Sequence, residues 1–174
     1  INMQHIEYIP NMDKAHYESM VRQVKGYIES GDIYQANISQ RFSAQLGSSP
    51  IESFLKLYEA QPVPFACYLD FGEFQIIIGS MELFLRREGQ RVITRPIKGT
   101  RSRGRSEELD TVKRAELISS DKERSENLMI VDLMRNDLGR ICRRGSVKVN
   151  SLFEIESYST LHQMVSEVEG TLDD

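Results

Sequence analysis

The residues most able to do chemistry in this chain cluster in one short stretch, TRPIKGTRSRG at positions 94–104. Lys98 stands there among Arg95, Arg101, Arg103 and the adjoining Arg105, in a protein whose net charge is −4. Three readings of this basic stretch compete. It is a solvated surface loop, the usual fate of a charge run. It is a patch for phosphate or nucleic acid, though no aromatic side chains interleave with it as stacking platforms. Or Lys98 is a reactive amine: crowding by cations and partial desolvation both disfavour the charged form of a lysine, and a neutral amine is a nucleophile.

Carboxylates accompany it. Glu82 lies near the start of a strand pattern that a turn at Gly89 would fold back against the strand leading to Lys98. Such a hairpin sets the two on neighbouring positions of one sheet. Glu123 and Glu126 are three residues apart in a helical pattern and so share a face; the opposite face is expected to carry Leu128, Ile130, Val131 and Leu133. Paired carboxylates suit Mg²⁺, which takes one or two of them and completes its shell with water. A solvated helix face, with Glu123 paired to Lys122 or Arg124, is the competing reading, and on these residues alone the simpler one. Asn136 and Asp137 in MRNDLG read as turn chemistry at a helix end stopped by Gly139. His162 reads as a packing or capping histidine, His5 and His16 as unremarkable, and no His/Cys cluster has zinc spacing. Asn37-Ile38-Ser39 matches a glycosylation acceptor without a secretory context.

The elements that must position these groups follow from periodicity. Residues 13–30 form an amphipathic pattern ending at Gly31. DIYQANISQRFSAQL alternates as a strand would. Pro50 opens a short helix that Pro62 and Pro64 close. FACYLDF and FQIIIGS make one hairpin about Gly72-Glu73, and ELFLRRE and RVITRPI a second about Gly89-Gln90. After the basic stretch come helices over 106–119 and 121–134, then two short strands, SVKV and LFEIESY. Strands followed by helices, without strict alternation, predict an α+β fold of antiparallel sheets with flanking helices. At 174 residues, 40% hydrophobic and 28% charged, the chain fits one domain. It has no run of about 18 apolar residues to span a membrane and no secretory leader. Its two cysteines make no disulfide framework, so a reduced, cytoplasmic protein is expected. Mild acidity argues against a nucleic-acid binder.

SGDIYQANISQRF, SMELFL, TRPIKGTRSRG, ENLMIVDLMRNDLGRICRRGSVKV and LHQMVS occur in this order and spacing. Together they resemble the chorismate-binding enzymes, from about residue 16 to the end. The resemblance implies an enzyme that binds chorismate and Mg²⁺ in a cleft. Within the family, a lysine in the PIKGT block marks the aminodeoxychorismate synthases, where anthranilate synthases carry alanine; that block holds Lys98 here. Gln35 stands where isochorismate and salicylate synthases carry a water-activating lysine, and it cannot act as that base. By the same resemblance Lys98 is the nucleophile and Glu82 the general acid. Glu126 is a Mg²⁺ ligand with Glu123 supporting it, Gly99, Thr100 and Gln35 contact substrate, and ammonia comes from a glutamine amidotransferase subunit. The neighbouring arginines would favour the substrate's carboxylates.

Two departures matter. Met81 replaces the proline usual before the general acid. Gln163 stands at the position of a histidine associated with pyruvate elimination in anthranilate synthases, with His162 one place early. The first residue is Ile, and the family's later blocks would lie beyond residue 174. The chain is therefore expected to be a single partial chorismate-binding domain, inactive alone, with exposed sheet surfaces that favour self-association. The competing readings are an anthranilate synthase component I and, from another class, a non-catalytic chorismate-binding or interaction domain.

Overall fold

A computed structural model describes residues 7–173; His5 lies outside them. The chain divides into two compact units, Ile1–Ser49 and Pro50–Asp174. Among the described residues no helix is long and apolar enough to cross a membrane.

In the first unit, α1 (Lys14–Glu29) starts where Asp13 accepts a hydrogen bond from the His16 amide at 2.7 Å, and its C-cap is Ser30. Gly31, at φ +80°, stops it as the sequence indicates. The expected strand over DIYQANISQRFSAQL is not formed. Only Phe42–Ser43 (β2) is extended and paired, with Ile9–Pro10 (β1). The apparent alternation buries nothing on one face: Ile33 and Ile38, the partly buried apolar residues there, are an odd number of positions apart, so no period of two serves them both. Side chains meet some of this segment's polar groups instead, as when Gln40 donates to Met12 O and Asn11 accepts from the Arg41 amide.

The second unit carries α2 (Pro50–Ala60) against a hairpin of β3 (Phe65–Asp70) and β4 (Gln75–Ser80). Gly72 at φ +81° makes the turn. Beyond it lies a five-stranded sheet of β5 (Leu83–Glu88), β6 (Arg91–Arg95), β7 (Ile97–Ser102), β8 (Lys148–Ser157) and β9 (Leu161–Thr171), with α3 (Glu107–Ile118) and α4 (Asp121–Gly139) packed on it. All strand pairs are antiparallel. β9 is the spine. β8 runs along one of its edges, while β6 and then β7 share the other. Val92, Val131, Leu138, Cys142 and Val168 form a core cluster between α4 and the sheet.

Several expectations change here. The basic stretch is a strand rather than a loop. SVKV and LFEIESY are one strand, β8, broken by register shifts on either side of Ser151; Phe153, at φ +60°, lies within the second irregularity. Helix α4 runs five residues past the expected end at 134, so Asn136 and Asp137 are helical. Gly139 is the last helical residue rather than a left-handed cap, and Arg140 caps the end in an αR conformation. The inward stripe of α4 is Glu123, Asn127, Val131, Met134 and Leu138 at helical spacing. Leu128 and Leu133 flank it and are exposed.

Candidate active site

Lys98 owes its position to a β-bulge. Pairing along β7 and β9 runs Ile97 to Val165, then resumes one residue out of step at Thr100 to Gln163. Lys98 and Gly99 together face the single residue Met164. A bulge of this kind bends its strand and re-aims side chains. Gly99 makes it possible at φ +93°, and a Cβ there would lie 3.0 Å from both Leu117 Cδ1 and Glu123 Cβ.

The end of β4 and the link to β5 close toward this bulge. Between them is an open cleft of about 520 Å³ lined by Ser80, Glu82, Lys98, Gly99, Thr100 and Gln163, among others. The expected hairpin therefore does bring Glu82 and Lys98 to one place. Glu82 Oε1 accepts a hydrogen bond from the Ile97 amide at 3.0 Å. Ser80 braces the turn, since its Oγ accepts from the Glu82 amide at 3.2 Å. This contact fixes the entry to β5. Among the described residues, Lys98 Nζ has no hydrogen bond or ion pair.

Three of the arginines beside Lys98, Arg95, Arg101 and Arg103, are paired with carboxylates and do not stand as free cations. Arg95 is paired with Glu156, and with Glu167 at 3.4 Å. Arg101 meets Glu123 at 3.2 Å. Arg103 grips Asp110 through two hydrogen bonds of 2.7 Å and reaches Tyr158 O. These ion pairs brace β6, β7 and the residues just after β7 against α3, α4 and β8, so these three arginines take a structural role instead of standing as a cluster of unpaired charge. Asp110 also accepts from the Gly104 amide and lies 3.0 Å from His162 Nε2. Arg103 first, then Gly104 and His162, hold its carboxyl well below the usual range against the effect of burial. His162 is fully buried, with Nδ1 2.7 Å from Ser157 Oγ: a packing histidine, as its context indicates.

Glu123 lies on the inward stripe of α4, and Glu126, three residues on, lies at its exposed margin. Glu123 backs the bulge and is committed to Arg101 instead of its helix neighbours. Glu126, with its side chain 44% exposed, has a 3.9 Å contact to Lys122 and lies outside the cleft lining. Among the described residues no three His, Cys, Asp or Glu side chains converge as a metal cage. One available carboxylate with another a turn away fits a water-rich Mg²⁺ site and not an all-protein one. Gln35 belongs to the first unit and is exposed.

Sequence reasoning missed a buried polar link. Asn127 and Ser166 are both fully buried. Ser166 Oγ donates to Asn127 Oδ1 at 2.5 Å and accepts from the Phe153 amide, while Asn127 Nδ2 donates to Met164 O at 3.3 Å. Met164 is the residue opposite the bulge, so this network fixes the backbone on which Lys98 rests. Its only trace in the sequence is Asn127 falling on the apolar stripe of α4.

The chorismate binding enzyme family model matches residues 2–174. Aminodeoxychorismate synthase component 1 of Bacillus subtilis is 47% identical over 91% of this chain and 34% of its own length. Anthranilate synthase component 1 of Aquifex aeolicus is 43% identical over 93% of this chain and 33% of its own. The crystal structure of anthranilate synthase component I from Streptococcus pneumoniae superposes with a TM-score of 0.86 at 32% identity, covering 98% of this chain and 37% of that one. The chain thus spans about a third of the length of the relatives it matches.

Proposed function

The chain belongs to the chorismate-binding enzyme family, and from that premise we propose that it is the part of an aminodeoxychorismate synthase component I that supplies the nucleophile and the general acid. The observation that carries this reading is Lys98, presented by a bulge and facing the same cleft as Glu82. The Lys98 amine, as the free base, attacks C2 of chorismate. The ring double bonds shift, and the C4–oxygen bond breaks as Glu82 gives its proton to the departing hydroxyl, which leaves as water. Ammonia then adds at C4, the double bonds shift back, and the C2–nitrogen bond to Lys98 breaks. The product is 4-amino-4-deoxychorismate, with the lysine restored.

Glu126, with Glu123 beside it, would hold Mg²⁺, which supplies positive charge opposite a substrate carboxylate. The ammonia would come from a glutamine amidotransferase partner, a role in keeping with the relatives being named component 1.

A second reading is anthranilate synthase component I, favoured by the 43% identity to the A. aeolicus protein. Direct attack of ammonia needs no enzyme amine, and this is what separates the two. The test incubates the complete gene product with chorismate, Mg²⁺ and ammonium and identifies products by mass. Aminodeoxychorismate, lost in Lys98→Ala, supports the first reading. Anthranilate, formed equally by Lys98→Ala, replaces it with the second.

A further inference from the structure

Gln163 is the group in the cleft that the proposed chemistry leaves without a task. It sits directly across β7–β9 from Thr100, next to the bulge that presents Lys98. Its Oε1 atom is buried and has no hydrogen-bond partner among the described residues, although the residue lines the cleft. A buried acceptor without a donor is costly, and native structures leave few of them. Among the described residues, two other buried side-chain atoms share this state, Gln61 Nε2 and Arg95 Nε. Neither lies in the cleft, and each belongs to a side chain already engaged elsewhere, Gln61 with Ser159 and Thr160, Arg95 with Glu156.

We propose that Gln163 Oε1 is a recognition point completed by the reactants, and that it accepts a hydrogen bond from a neutral O–H or N–H donor at the ring. A carbonyl oxygen repels carboxylates, so the acidic groups of a chorismate-like ligand cannot satisfy it. Two donors of the right chemistry enter this cleft under the proposed function: the ring hydroxyl of the substrate and the incoming ammonia. Because an amide neither takes up nor releases a proton at ordinary pH, Gln163 positions a reactant there without acting as acid or base.

This inference rests on the reading of the cleft as a chorismate site, but not on which product is released. The test compares wild type with Gln163→Met and Gln163→Leu in the complete gene product. Calorimetric titration with chorismate in the absence of ammonium is run beside the ammonium dependence of turnover. A Kd for chorismate weakened about tenfold, the effect of one neutral hydrogen bond, assigns the acceptor to the hydroxyl. An unchanged Kd with an ammonium KM raised about tenfold assigns it to ammonia. In either case the ligand-free Tm should hold steady or rise, because the substitution removes an orphaned acceptor. Unchanged Kd and KM, or a fall in Tm that accounts for the lost activity, would overturn the proposal. Should the wild type release anthranilate, the product assignment falls while this test keeps its meaning, since that reaction also consumes chorismate and ammonia.

Discussion

Replacing Gly99 with alanine should disable the site by collapsing the bulge, and the size of the effect can be worked from the structure. At φ +93° a residue with a Cβ is strained, at about 1–3 kcal/mol. The new methyl would stand 3.0 Å from Leu117 Cδ1 and from Glu123 Cβ, and 3.2 Å from Glu123 Oε2. Leu117 is fully buried and Glu123 is held by Arg101, so neither neighbour can easily yield. Overpacking of this kind adds about 1–3 kcal/mol. Together Gly99→Ala should lower stability by about 2–6 kcal/mol, read as a lower urea midpoint with m unchanged. Pairing it with Leu117→Ala separates the two parts. The double variant should recover the part of the packing cost that falls on Leu117 and leave the backbone strain and the Glu123 contacts, giving a coupling of about 1–2 kcal/mol. A Gly99→Ala protein within about 0.5 kcal/mol of wild type, with kcat intact, would refute the bulge as the device that presents Lys98.

Asn127→Leu should lower kcat more than it raises KM, because it releases Met164 opposite the bulge; it should also cost about 1–3 kcal/mol in urea unfolding by orphaning buried partners. Glu126→Gln should raise the Mg²⁺ concentration needed for half-maximal turnover, whereas Lys122→Ala, its exposed neighbour, should not. Glu169 is held down to about 2 by Lys148, Asn150 and Arg91. Its contribution to stability is therefore present above its ordinary value of 4.5 and lost as pH falls toward 2. Glu169→Gln should flatten the acid side of a Tm-versus-pH curve and leave neutral pH activity alone.

The local signals in the sequence were strong where one residue type forces one geometry. Gly31 and Gly72 fixed a helix stop and a hairpin turn, and Ser106 and Ser120 cap α3 and α4 at the expected starts. Glu82 and Lys98 were legible as neighbours because a two-strand hairpin is a short-range object. The bulge was not, because it depends on register against β9, whose Val165 lies 68 positions after its partner Ile97. For the same reason the arginines read as a cluster of like charge. Their carboxylate partners, Glu156, Glu123 and Asp110, arrive from three different elements. Tyr34 to Ser39 alternates in type without alternating in burial, and there the pattern misled.

In the proposed reaction Lys98 forms and then releases a bond to the substrate ring. The most direct measurement mixes the complete gene product with chorismate and Mg²⁺ in strictly ammonium-free buffer, quenches early, and reads the mass of the protein and of the peptide bearing Lys98. The expected result is an adduct on Lys98 equal to chorismate less one water, dispersed when ammonium is added and absent in Lys98→Ala and Glu82→Gln. An enzyme that turns over chorismate with ammonium yet never carries mass on Lys98 would contradict it.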